Sequence, residues 1–390
     1  MIDIEKQLNP EVVALKPSGI RKYFDIAATM DDVITLGVGE PDFKSPWHIR
    51  EAGIKSLEKG YTRYTSNHGM IELRRAVSKF MQDKYDLNYC ADNQILITVG
   101  GSEAIDGCVR ALISPGDEVL IVEPSFVCYS PIVKLAGGVP VIIETKNENS
   151  FRLTADELRS AITDKTKMLI LPYPNNPTGA VMRREHLEEI AEVLRDTDIM
   201  VLSDEIYAEL TYGNERHVSI AEIDGMFERT VIASGFSKTY SMTGWRMGFA
   251  CGHPAIIKQM TKIHQFAIMS APTTSQYAAI EAILNGESDI SDMRFEYDIR
   301  RNFIVNEFRK LGLSCFEPEG AFYAFPCIKS TGLSSEEFCE RLLLEKRVAT
   351  VPGTAFGECG EGFIRVSYCN SLKNLKKAME RIKEFIDGLK

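Results

Sequence analysis

A lysine and an arginine lie eight positions apart in "SGFSKTYSMTGWRMGFA" (234–250), and Lys238 and Arg246 are its only charged side chains. An unprotonated lysine amine can attack a carbonyl carbon to form a Schiff base. An arginine can hold a phosphate or carboxylate through charge-assisted hydrogen bonds. Upstream, "SDEIY" (203–207) puts Asp204 at the end of an apolar run, with the phenol Tyr207 three positions on. A carboxylate buried there is costly unless something pairs with it. "NNPTG" (175–179) reads as a turn, and Asn176 within it could donate its amide to a ligand oxygen. "GGSE" (100–103) combines two glycines with a helix start, which together suit a phosphate-sized anion. In "EPSFVCY" (123–129), Phe126 could stack on a planar ring. Singly, these stretches also read as a polar loop, a turn, a helix cap and a core ring.

Their positions relative to the predicted elements join them. Apolar runs at 94–100, 117–124, 139–144, 166–174, 199–205, 229–235 and 246–252 predict seven strands, and 102–113 and 184–197 predict amphipathic helices. Continuous apolar strands with helices between them imply an α/β unit, its mostly parallel sheet sandwiched by helices. Ligands of such sheets bind outside the carboxyl ends of the strands, where all of these residues fall. No GxGxxG and no GxxxxGK[ST] occurs, which argues against a nicotinamide site and a P-loop. From about residue 275 helices and short strands predict a smaller α+β unit, joined through a long helix. A phosphate cradle, stacking ring, amide, carboxylate, phenol and lysine at adjacent strand ends fit pyridoxal 5′-phosphate, with its aldehyde on the lysine and its ring nitrogen on the acid.

Composition narrows the class. The chain has 390 residues, 44% hydrophobic and 26% charged, a length that suggests two domains at roughly 100–200 residues each. A net charge of −10 repels nucleic acid and anionic lipid. No apolar run reaches the roughly 20 residues of a membrane span, and the acidic N-terminus is unlike a signal peptide. Nine cysteines at irregular spacing, with no CxxC, argue against a zinc site or a disulfide framework and fit free thiols in the cytoplasm.

"GFSKTYSMTGWRMG" (235–248) resembles the pyridoxal-phosphate attachment signature of class I aminotransferases, which have fold type I. "GVGEPDF" (37–43), "RYTSNHG" (63–69), "VGGSEA" (99–104), "NNPTG", "SDEIY" and "FIRVSY" (363–368) fall in the family's order across nearly the whole chain. The resemblance is nearest the bacterial aromatic, aspartate and N-acetyl-diaminopimelate aminotransferases. It implies a large cofactor-binding domain at 45–280 and a small domain built from 1–44 and 281–390. It implies that Lys238 forms the Schiff base and shuttles a proton, that Asp204 pairs with the ring nitrogen, and that Tyr207 and Asn176 share the ring oxygen. Phe126 would stack on the ring. Gly101, Ser102, Ser237 and Arg246 would hold the phosphate, with Glu103 beside them. Tyr64 would reach the phosphate of a neighbouring subunit, implying a homodimer. Arg365 and Gly39 would bind the substrate α-carboxylate, with Asn176 also at the substrate.

The implied activity moves an amino group from an L-amino acid, aromatic, aspartate or similar, to a 2-oxo acid such as 2-oxoglutarate. Glu103 stands where some aspartate-specific relatives carry a basic residue, which argues against strong aspartate selectivity. Ile20, Tyr23 and Phe24 in "SGIRKYFDIA" (18–27) could line an apolar substrate pocket under a lid. The same motifs admit a cysteine-S-conjugate β-lyase as the alternative. A transcriptional regulator on this fold would carry an added DNA-binding domain, and the family match here begins within the first 40 residues.

Overall fold

The structure, a computed structural model, describes residues 2–17, 19, 26–213 and 216–389. Ile20, Tyr23 and Phe24 lie outside the described residues. The seven expected strands form one sheet in the order Ile95–Thr98, Gly248–Cys251, Thr230–Gly235, Met200–Asp204, Thr166–Leu171, Glu118–Glu123, Val139–Glu144. Only Gly248–Cys251 runs against its neighbours; the other pairings are parallel.

Both faces of the sheet are covered, because successive side chains alternate between them. Val119 and Ile121 pack with Cys108, Val109 and Met260, from the helices Gly101–Leu112 and Pro254–Ala267. Leu120 and Val122 pack on the opposite face with Leu187, Ile190, Ala191 and Leu194. Those four residues form one stripe of the helix Arg184–Leu194. Val139–Glu144 is one of the two edge strands and is only partly buried, although its sequence is as apolar as the inner strands, whereas the other edge strand, Ile95–Thr98, is buried throughout.

The last strand starts later than its apolar run. Expected from Arg246, it begins at Gly248, because Arg246 takes a left-handed φ of 52° in the turn before it. Gly248 then passes the "GGSE" turn at close range. A Cβ at Gly248 would lie 2.5 Å from the Gly100 carbonyl carbon and 2.7 Å from the Gly101 nitrogen. This approach keeps the helix start at Gly101 beside the strand that follows the lysine segment.

The smaller core gathers both chain ends. Ile34–Thr35 pairs in parallel with Val348–Ala349, and Val351–Pro352, Ile364–Ser367 and Tyr323–Ala324 form an antiparallel sheet. Ile34 and Leu36 are buried there with Phe338, Leu342, Leu375 and Phe385. The connection is two helices, Thr273–Asn285 and Glu287–Lys310, separated by Gly286 alone. The second helix spans both cores: Ile290 packs with the large unit, and Met293, Tyr297, Ile304 and Phe308 with the small one. No helix among the described residues is long and apolar enough to cross a membrane.

Gly248→Ala is expected to destabilise the protein by about 1–3 kcal/mol, the usual cost of overpacking. Gly244→Ala, where an added Cβ meets nothing within 4 Å, serves as the control. Denaturant unfolding of both variants checks this, and an unchanged midpoint for Gly248→Ala would refute the close approach.

Candidate active site

A cavity of about 280 Å³ opens at the carboxyl ends of the strands, between the large sheet and the smaller core. Parallel register puts Asp204 opposite Ala233, so the strands bearing Asp204 and leading to Lys238 end at one level. Of the residues singled out above, Gly39, Gly101, Ser102, Phe126, Asn176, Asp204, Tyr207, Ser237, Lys238, Arg246 and Arg365 line the cavity.

Lys238 sits on the one-turn helix Phe236–Thr239, and its Nζ donates to the Gly39 carbonyl at 2.6 Å. Burial, reinforced by Arg365 and Arg246, lowers the amine's pKa to about 8 against the opposing pull of Cys369 and Glu40. Asp204 accepts from Tyr129 Oη at 2.7 Å and from the Ile206 amide at 3.2 Å. Burial raises its carboxyl pKa to about 6. No cation pairs with it among the described residues, so a protonated ring nitrogen is the kind of group it lacks. The adjacent Glu205 is engaged elsewhere, accepting from Ser203 Oγ at 2.8 Å and Ser219 Oγ at 2.6 Å, with His217 Nε2 at 3.1 Å.

Two cationic positions flank these groups. Arg246 Nη1 donates to the Thr243 carbonyl at 3.0 Å, and a Cβ on Gly100, which has φ +81°, would collide with its guanidinium. The helix Gly101–Leu112 starts there without a side-chain cap, which leaves first-turn N–H groups for an anion. On the other side Arg365 is 2% exposed. Its Nη1 donates to Asn176 Oδ1 at 2.9 Å and its Nη2 to the Gly37 carbonyl at 2.5 Å. The guanidinium carbon lies 4.5 Å from the Tyr323 ring centre and 4.7 Å from that of Phe356. Nε has no partner, and no carboxylate pairs with Arg365 among the described residues. A buried cation in this state is a receptor for a carboxylate.

Two expected residues do not line this chain's cavity. Glu103 is turned away from the cavity: its Oε2 accepts from the Val99 amide at 2.5 Å and its Oε1 meets His264 Nδ1 at 2.5 Å. Its carboxylate is taken up by the Val99 amide ahead of the helix and by a buried histidine, and Glu103 does not line the cavity. Tyr64 is 83% exposed and lies outside this chain's cavity. Three polar lining residues, Tyr129, Thr243 and Tyr323, went unnoticed in the sequence. Tyr129 was within reach, since it follows Phe126 by three positions at the start of the helix Tyr129–Leu135. Thr243, whose hydroxyl donates to Glu40 Oε1, stood in the lysine segment itself. Tyr323 stands in an apolar run, "GAFYAFP", with no polar signal around it.

The lowered amine pKa makes a pH-dependent expectation. An aromatic aldehyde trapped by cyanoborohydride on cofactor-free protein should label Lys238. Its rate should climb about tenfold per pH unit up to about 8 and level off above, because only the neutral amine attacks. Peptide mapping identifies the lysine. A rate still climbing at pH 10 would mean an ordinary lysine.

A family model described as "Aminotransferase class I and II" matches residues 31–382. An aspartate aminotransferase of Pyrococcus abyssi is 45% identical over 374 residues, covering 95% of this chain and 96% of that protein. Aromatic-amino-acid aminotransferase 2 of Thermococcus litoralis is 43% identical over 381 residues, covering 97% and 98%. Among solved structures, the Thermus thermophilus aspartate aminotransferase with maleate superposes with a TM-score of 0.92 at 37% identity, covering 97% of this chain and 99% of that one. With fold, cavity and near full-length similarity in agreement, the chain belongs to the class I and II aminotransferases and is an aminotransferase.

Proposed function

We propose that the protein transfers the amino group of an L-amino acid, aromatic, aspartate or similar, to a 2-oxo acid such as 2-oxoglutarate, using pyridoxal 5′-phosphate. The observation that carries this reading is the buried Arg365, with an unpartnered Nε and no acidic partner, facing the same cavity as a lysine whose amine is held near pKa 8. The donor set fits the cofactor: Asp204 lacks a cation, Arg246 lacks an anion among the described residues, and the helix at Gly101 lacks a side-chain cap. When bound, the cofactor supplies an electron sink for the pair left when the substrate α-carbon loses its proton.

In this reading Lys238 Nζ holds the cofactor and, once released from it, takes the α-proton and returns it on the other side of the transfer. Asp204, braced by Tyr129, keeps the ring nitrogen protonated. Tyr207 and Asn176 face the ring oxygen, and Phe126 covers the ring. Gly101, Ser102, Ser237 and Arg246 hold the phosphate. Arg365 grips the substrate α-carboxylate, assisted by Gly39, and Asn176 steadies the guanidinium from the cofactor side. Tyr64, exposed on this chain, would complete the site of a second subunit, which makes the working form a homodimer. Glu103 drops out of the substrate argument, since its carboxylate is committed to His264 and Val99. The domain division at 45–280, with 1–44 and 281–390 apart, and a place in the cytoplasm belong to the same reading. All nine cysteines are unpaired, as a reducing compartment allows.

Mixing the holoenzyme with single amino acids and following loss of the lysine-bound cofactor absorbance, then its return on adding 2-oxoglutarate, tests the activity directly. Asp204→Asn should keep the fold and lose activity by about a thousandfold, equivalent to about 4 kcal/mol of transition-state stabilisation. A variant within tenfold of the parent would remove Asp204 from its role.

Arg365→Leu should lower kcat/KM for aromatic, aliphatic and acidic amino acids alike. Losing a charged, desolvated pair costs roughly 2–5 kcal/mol. Steady-state kinetics on one substrate of each class measures the spread. A loss confined to acidic substrates would mean that Arg365 reads the side chain.

A further inference from the structure

Tyr323 touches both halves of the proposed chemistry. It is 1% exposed, and its Oη lies 2.9 Å from Tyr207 Oη, where either hydroxyl could be the donor. Its ring lies under the Arg365 guanidinium at 4.5 Å. Strand pairing fixes this arrangement, since Tyr323 sits opposite Ser367 and Ala324 opposite Val366, one residue on from Arg365. Gly39 closes the remaining side: a Cβ there would collide with the Tyr323 hydroxyl.

Two phenols joined by one hydrogen bond have two proton arrangements, and they leave Tyr207 in different states. If Tyr207 donates to Tyr323, its proton is used up and its oxygen faces the cavity as an acceptor. If Tyr323 donates, the Tyr207 proton is free for a ligand oxygen. The neighbouring cation decides between them. A guanidinium over the Tyr323 ring favours negative charge on that phenol, making it the better donor of the pair. Burial raises both phenols, Tyr207 well above its usual value and Tyr323 to about 12; Arg365 draws both down, as the leading opposing influence on Tyr323 and a lesser one on Tyr207.

We propose that Tyr323 is a positioning residue that donates to Tyr207 Oη under the influence of Arg365, leaving the Tyr207 proton to point into the cavity. This rests on the reading that the cavity holds pyridoxal 5′-phosphate with its ring oxygen toward Tyr207. Tyr323 thereby links the group that binds the substrate carboxylate to the group that sets the charge on the ring oxygen.

Spectrophotometric titration of the holoenzyme tests the proton direction by its sign. Donation from Tyr207 favours the anionic ring oxygen and so lowers the pH at which the lysine-bound cofactor band changes. Tyr323→Phe keeps the ring under Arg365 and removes only the hydroxyl. It should weaken the Tyr207 donor and raise the titration midpoint by about 0.3–0.5 pH unit, the scale of cooperative strengthening in a hydrogen-bond chain. Replacing Tyr323 with 3-fluorotyrosine makes that hydroxyl a stronger donor and should lower the midpoint; this variant keeps the packing even if Tyr323→Phe folds poorly. Affinity for a non-reacting carboxylate such as maleate should stay within about twofold in Tyr323→Phe, since the stack on Arg365 survives. A midpoint that falls in Tyr323→Phe, or that moves in neither variant, overturns the proposal. Absence of any lysine-bound cofactor band in the parent protein would instead overturn the functional reading beneath it.

Discussion

Charge held out of water without a matching counter-charge governs the geometry of the cavity. Lys238 rests its amine on a carbonyl, Asp204 is met only by a phenol and an amide, and Arg365 meets an amide and a carbonyl. Each contact is a neutral dipole that orients the group without cancelling it. Such burial costs stability in the free protein, and ligands that bring the missing charges recover it. The pKa directions report the same condition: the acid is raised and both bases are lowered, burial being the largest cause each time.

Keeping these groups apart yet facing one space requires a stiff frame. Parallel pairing aligns the strand ends that carry Asp204 and lead to Lys238, while Gly248 lets a neighbouring strand run against the turn at Gly100. The Arg365 side of the cavity comes from a separate sheet, where Ile364–Ser367 lies between two short strands. The site is therefore assembled from two frameworks, with Asp204, Lys238 and the turn at Gly100 on one and Arg365 on the other.

Much of this was legible in the chain because strand ends carry their own signals. Asp204, Asn176, Phe126 and Lys238 each follow a continuous apolar run, and the sheet brings those ends together. The partner of Glu103 was not legible, because sequence shows that an acid follows Ser102 but not that a histidine 161 positions away takes up its carboxylate. Tyr323 was invisible because an apolar run containing a tyrosine reads as core, and its partners Tyr207 and Arg365 are 116 and 42 positions distant. The start of the last strand was misjudged because a left-handed turn at a non-glycine residue, Arg246, leaves no mark in composition. Local pattern identifies elements and their ends; pairing across the fold assigns each polar side chain its partner.

The helix Glu287–Lys310 has Ile290 in the large core and Met293 through Phe308 in the small one. A helix planted in two cores ties their cooperativity together, since melting either end leaves the other with an open wound of apolar surface. Loosening the smaller unit therefore also strips packing from the helix that reaches into the larger one. Heat that frees the smaller unit's strands would carry off Arg365 and unpack the long helix in the same event, so the setting of that buried cation and the packing of the helix are lost together.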